Sequence, residues 1–123
     1  MRAGVAFQQS VVRSSNFEGS NLYSASFFDA DLSNSNFKGA NMEQVNLEMA
    51  DLSGADLTNA DLTEAYMTGA VVNGPKGALT KIDNTDWTDA QLYALRLAAA
   101  AQRAPTALML RRARVEPLSM LRT

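Results

Sequence analysis

The sequence predicts an all-β solenoid. Three observations carry that reading: a five-residue repeat that runs without a gap through residues 15–74, an apolar residue at the centre of every unit, and a small residue two positions before it. Written in fives from Ser15, the chain reads SNFEG, SNLYS, ASFFD, ADLSN, SNFKG, ANMEQ, VNLEM, ADLSG, ADLTN, ADLTE, AYMTG and AVVNG, twelve consecutive units. The centres are Phe17, Leu22, Phe27, Leu32, Phe37, Met42, Leu47, Leu52, Leu57, Leu62, Met67 and Val72. The earlier small residue is mostly Ala or Ser, with Val45 the one larger side chain. Between the two stands Asn or Asp in nine units, Ser26, Tyr66 and Val71 being the departures.

A period of five excludes a helix. At about 100° per residue, a five-residue step lands roughly 140° beyond a full turn and smears the apolar residues around the axis. In extended chain, residues two apart share a face, so the small and the large apolar residue point inward and the Asn or Asp between them points out. The next small residue falls at an odd spacing, which a straight strand would place on the wrong face, so the remaining residues of each unit must turn a corner. Successive corners coil the chain, and each coil hydrogen-bonds to the next about 4.8 Å away.

Composition narrows the function. A chain of 123 residues, 46% hydrophobic and 20% charged, fits one folded domain. It has neither cysteine nor histidine. That removes disulfides, thiol nucleophiles, imidazole bases and the usual zinc and iron–sulfur ligand sets. With no nucleophile–base pair and no phosphate loop, the chain does not read as an enzyme, and no cofactor, metal or small-molecule substrate is expected. The longest apolar run, Leu97–Ala101, falls far short of the roughly 18 residues of a membrane span, and the first seven residues carry no targeting peptide.

Charge divides the chain. Residues 1–92 hold twelve acids against five bases, a net of −7, whereas residues 93–123 hold six arginines against Glu116, a net of +5. The overall charge of −2 hides an acidic β-helical body, residues 1–92, joined to a basic tail, residues 93–123.

The units ADLSG, ADLTN and ADLTE resemble the pentapeptide-repeat family, whose signature is A-(D/N)-L-X-X. The resemblance implies a right-handed quadrilateral β-helix with four units per coil, and about four coils here. Phe7 and Val12 before the repeats, and Ile82, Trp87 and Leu92 after them, keep the same register. A twenty-residue coil implies inward columns Val12-Leu32-Leu52-Val72-Leu92, Phe17-Phe37-Leu57, Leu22-Met42-Leu62-Ile82 and Phe27-Leu47-Met67-Trp87. Gly77 fails the pattern, and Asn73-Gly74-Pro75-Lys76-Gly77 is a turn-forming cluster that should break or bulge a coil.

The open end of a solenoid exposes its last layer and needs a cover. Thr88-Asp89-Ala90-Gln91 reads as a capping box, and the Ala- and Leu-rich run from Asp89 to Ala104, stopped by Pro105, predicts a helical C-terminal cap. A second helix is expected from about Ala107 to Arg114.

The stretches Gly69–Val72 and Lys81–Asp89 are similar to the small thylakoid-lumenal pentapeptide-repeat proteins of chloroplasts and cyanobacteria. Those relatives carry two cysteines in a helical tail, and this chain has none. The resemblance implies a non-catalytic interaction module of the chloroplast thylakoid lumen, peripheral to the membrane, an accessory or assembly subunit of a photosystem or other thylakoid complex. The alternative is a cytoplasmic DNA mimic that binds gyrase, as some pentapeptide-repeat proteins do, but a body charge of −7 is modest beside a duplex with one charge per about 1.7 Å.

Two surfaces are the candidate partner contacts. Tyr23 and Phe28 follow core residues and should point outward on adjacent faces, with Tyr66 and Met49 also outside. Arg111, Arg112 and Arg114 form the densest part of the basic tail, suited to an anionic surface; with no reader motif, nucleic acid is not expected as the partner. Asp31 above Asp51, and Asp56 beside Asp61, are read as solvated carboxylates rather than cation ligands.

Overall fold

The computed structural model describes residues 4–72 and 79–92 and the backbone of Arg96–Leu97. Each five-residue unit makes one short side of a four-sided coil and one corner. The side is a single bridging residue, the Asn or Asp position, paired in parallel with its equivalent in the next coil: Asn21 with Asn41, Asn41 with Asp61, Asp31 with Asp51. Leu22 donates its amide to the Asn41 carbonyl at 2.7 Å, and Asn41 donates to the Ser20 carbonyl at 2.9 Å, so the two coils are joined in both directions; the Met42 amide, donating to the Asp61 carbonyl at 2.8 Å, makes the tie to the next coil.

The corner is a four-residue turn. In the unit beginning at Ala55, for example, the Ala60 amide returns to the Leu57 carbonyl at 2.9 Å. The third turn residue is left-handed in unit after unit, from Gly4 to Asp89, which is the geometry of a type II turn. Gly, Asn and Asp recur there because they reach positive φ at little cost, and the closure of the coil holds Gln44, Met49 and Glu64 there as well. The outward Asn or Asp starts each corner: its Oδ1 accepts the amide two residues on, as in Asn46 with Glu48 at 2.9 Å and Asp61 with Thr63 at 2.9 Å.

The inside is dry and layered. Every central residue from Leu22 to Val72 is buried, and so are the alanines two positions before them. Phe7 stacks on Phe27, and Phe17 on Phe37, each at 5.0 Å between ring centroids, and the two stacks meet edge to face at 5.7–6.0 Å. Where a hydroxyl replaces the small alanine it is satisfied inside: Ser35 donates to the Val12 carbonyl at 2.9 Å, Thr80 to Leu52 and Thr85 to Leu57 at 2.7 Å.

The coil step lengthens after Val72. Up to that point partners are twenty residues apart; beyond it Asp56 pairs with Lys81, Asp61 with Asp86 and Tyr66 with Gln91, a step of twenty-five. One repeat length has been added across the Asn73–Gly77 region, as its turn-rich composition leads one to expect. The twenty-residue columns are therefore corrected for the last coil. Ile82 lies over Leu57 rather than Leu62, Trp87 over Leu62 rather than Met67, and Leu92 over Met67 rather than Val72.

The predicted C-terminal helix is corrected where it can be compared. Asp89 is a left-handed corner residue and Gln91 bridges to Tyr66, so residues 89–92 complete a coil instead of opening a helix. Thr88 donates its amide at 3.0 Å and its hydroxyl at 2.6 Å to Asp86, which makes it part of an Asx corner and not a helix cap. Strand β1, Val71–Val72, then pairs in parallel with β2, Arg96–Leu97, inside the span assigned to that helix. No helix occurs among the described residues. The remainder of the predicted cap, and the second helix over 107–114, lie outside them.

Candidate protein-docking wall

Four outward columns clothe the solenoid. They run Val11-Asp31-Asp51-Val71, Asn16-Asn36-Asp56-Lys81, Asn21-Asn41-Asp61-Asp86 and Ala6-Ser26-Asn46-Tyr66-Gln91. The first three each carry charged residues; the fourth carries none. This uncharged Tyr66 wall is also where the described aromatic side chains reach the surface. Tyr66 stands on it, Phe28 lies on the corner that follows it, and Tyr23 on the corner that precedes it. Phe28 is 38% exposed, Tyr66 41%, and Met49, one coil beyond Phe28 on the same corner, 52%.

The structure thus brings Tyr23, Phe28 and Tyr66 around one wall. Tyr23 is half-buried, with its hydroxyl donating to Gln44 Oε1 at 3.2 Å, and Gln44 Nε2 donates to Glu64 Oε1 at 3.1 Å. This ladder orders the corner leading into the wall. Met49 packs back over Gly69, where an added Cβ would stand 2.5 Å from its sulfur. Gln44, Glu64, Asp89 and Gln91 complete the wall's polar margin; the sequence marks none of them as a contact, and offers Asp89 and Gln91 as part of a helix cap instead. The twenty-five-residue step is what sets Gln91 beside Tyr66 and Asp89 beside Glu64. Arg111, Arg112 and Arg114 lie outside the described residues.

The carboxylates serve the corners. Asp51 Oδ1 accepts the Ser53 amide at 2.9 Å and hydroxyl at 2.6 Å, and Asp31 does the same for Ser33. Arg13 pairs with Asp31 at 3.4 Å. At Asp56, burial pushes the carboxyl up, but hydrogen bonds from Thr58, with Lys81 and Lys38 nearby, outweigh it and hold the group below its ordinary value. Among the described residues no three acidic side chains group as a metal site would require.

The pentapeptide-repeat family model matches residues 3–39 and 35–74 in eight copies, more than half of the chain. The chain belongs to the pentapeptide-repeat family. Its fold is that family's right-handed quadrilateral β-helix, and family members are in general structural, protein-binding modules rather than enzymes. Among solved structures, the chain is similar to a pentapeptide repeat protein from the Arabidopsis thaliana thylakoid lumen, at 26% identity over 80% of this chain and 68% of that one, with a TM-score of 0.49. It is also similar to Rfr23 from the cyanobacterium Cyanothece 51142, at 22% identity over 74% and 58% of the two chains, TM-score 0.45. A third is QnrB1, a plasmid-mediated fluoroquinolone resistance protein, at 16% identity over 87% and 60%, TM-score 0.46. No match is found among curated proteins.

Proposed function

We propose that this pentapeptide-repeat protein is a non-catalytic docking subunit that binds a larger protein assembly through the Tyr66 wall. The grouping of Tyr66 on the one uncharged column with Phe28 and Met49 on the corner that follows it carries the reading. Desolvating a charged column against a partner is costly, whereas a neutral wall with exposed aromatics gains by burial. The likeness of residues 69–72 and 81–89 to lumenal pentapeptide-repeat proteins supports a photosystem or other thylakoid membrane complex as the assembly, met from the lumenal side. Arg111, Arg112 and Arg114 supply a second, electrostatic contact to the same complex.

Retention on solubilised thylakoid complexes, followed across a salt series, tests this. Phe28→Ser with Tyr66→Ser should abolish retention at every salt concentration, because apolar burial is not screened. Replacing the three tail arginines by glutamine should weaken retention mainly at low salt. Recovery of gyrase subunits in place of thylakoid proteins would instead support the DNA-mimic alternative. Retention unaffected by the wall variants would remove the wall from the contact.

A further inference from the structure

We infer that Met49 is an oxidation switch of the docking wall: hydrogen peroxide converts its thioether to the sulfoxide, and the chain then releases its partner. This rests on the docking reading and specifies how that contact is regulated. Among the described methionines, Met42 and Met67 are fully buried in the core, whereas Met49 is 52% exposed. It stands on the corner that follows the wall, one coil beyond Phe28, with its amide donating to the Thr68 carbonyl at 2.9 Å. Its backbone is left-handed, with φ 62°, and it is the one apolar side chain among the described non-glycine residues in that conformation. Neither turn preference nor core filling calls for methionine there, because the corner favours Gly, Asn or Asp and the side chain lies outside the core.

Gly69 leaves room at the sulfur. A Cβ built on Gly69 would lie 2.5 Å from the Met49 sulfur but 3.8 and 3.9 Å from the two carbons bonded to it, so the lone-pair edge of the thioether faces Gly69. Glycine puts no side chain in the way of an oxygen arriving there. A sulfur lone pair attacks one oxygen of hydrogen peroxide, the O–O bond breaks, and the other oxygen leaves as water with both protons; sulfur loses two electrons and the peroxide gains them. The product is polar where the thioether was apolar. Burying a sulfoxide beside Phe28 without a hydrogen-bond partner is costly, so an edge of the wall that gained by burial now resists it. A methionine sulfoxide reductase, drawing two electrons from a dithiol, restores the thioether and with it the contact.

The test treats the full chain with hydrogen peroxide, removes the oxidant with catalase, and follows sulfoxide formation by peptide mass spectrometry and retention on solubilised thylakoid complexes. Met49 should oxidise at least about tenfold faster than Met42 or Met67, which burial shields. The oxidised chain should be retained about threefold or more weakly, and methionine sulfoxide reductases should restore it. Met49→Leu keeps an apolar side chain without sulfur and should be retained equally before and after peroxide, which separates Met49 from the chain's other methionines. Met49→Gln, a polar stand-in for the sulfoxide, should be weakened with no oxidant present; it preserves the corner, since Gln9 and Gln44 already hold the same left-handed backbone at φ 58°. Oxidation of Met42 or Met67 as fast as Met49, undiminished retention of the oxidised chain or of Met49→Gln, or a peroxide loss that Met49→Leu shares overturns the inference. If any of these occurs while Phe28→Ser with Tyr66→Ser still abolishes retention, the docking wall stands and the switch alone falls; if that double variant is retained like the wild type, the wall falls and takes the switch with it.

Discussion

At Asp51 one side chain serves an inward and an outward need. Its neighbour Leu52 is fully buried, while its own Oδ1 satisfies both the amide and the hydroxyl of Ser53, which is itself buried. Leu52→Asp places a charge in a dry column and should unfold the chain, seen as loss of the cooperative thermal transition. Asp51→Ala removes the acceptor that the Ser53 amide and hydroxyl share and should cost roughly 1–3 kcal/mol in urea unfolding, whereas Asp51→Asn keeps an acceptor and should cost under about 1 kcal/mol. Asp56 shows the same economy with a pH signature. Its folded value lies below the ordinary 3.8, so its contribution is fully present above 3.8 and is lost as pH falls through the lower folded value. Asp56→Asn should flatten the acid limb of a stability-versus-pH curve and leave the slope near neutrality unchanged.

The repeating element is a bridge and a left-handed corner, and its tolerance varies around the coil. Gly19 and Gly69 both sit at positive φ, 66° and 72°, but a Cβ on Gly19 meets nothing within 4 Å while one on Gly69 meets the Met49 sulfur at 2.5 Å. Gly19→Ala should cost about 1 kcal/mol for the strained backbone. Gly69→Ala should cost that plus about 0.5–1.5 kcal/mol to drive Met49 off its rotamer, and adding Met49→Ala should remove the excess in a double-mutant cycle. The aromatic stacks are a second element. Phe37, buried under Phe17 and edge-on to Phe27, should cost about 3–5 kcal/mol when cut to alanine.

For the whole molecule, the twenty-five-residue step is the main irregularity. Deleting residues 75–79 joins the unit AVVNG directly to TKIDN and restores a twenty-residue step, with Ile82 still over Leu57. The one described residue removed, Leu79, is 41% exposed. The shortened chain should keep the β-type circular dichroism and lose no more than a few degrees in Tm, since shortening the connection between coils by five residues changes closure entropy only slightly. A collapse of the transition on deletion would show that the added repeat length supports the last coil.

Much of this was legible in the amino-acid order, because a period of five leaves only one arrangement in which the Ala and Leu positions face inward together. The inward columns up to Val72, the outward Asn and Asp, and the surface placement of Phe28, Met49 and Tyr66 follow from that local geometry. The left-handed corner was also written in the order, as Gly, Asn or Asp at the last place of many units. The Thr88–Gln91 segment misled, since the same residues satisfy a capping box and an Asx corner, and pairing with the coil below selects the corner. The docking wall depended on a distant choice. A twenty-residue step would set Asp86 over Tyr66 and charge the wall; the twenty-five-residue step sets Gln91 there and brings Asp89 over Glu64. Local periodicity cannot decide between those registers, because both bury apolar residues; hydrogen bonding between coils, which joins residues far apart in the chain, does.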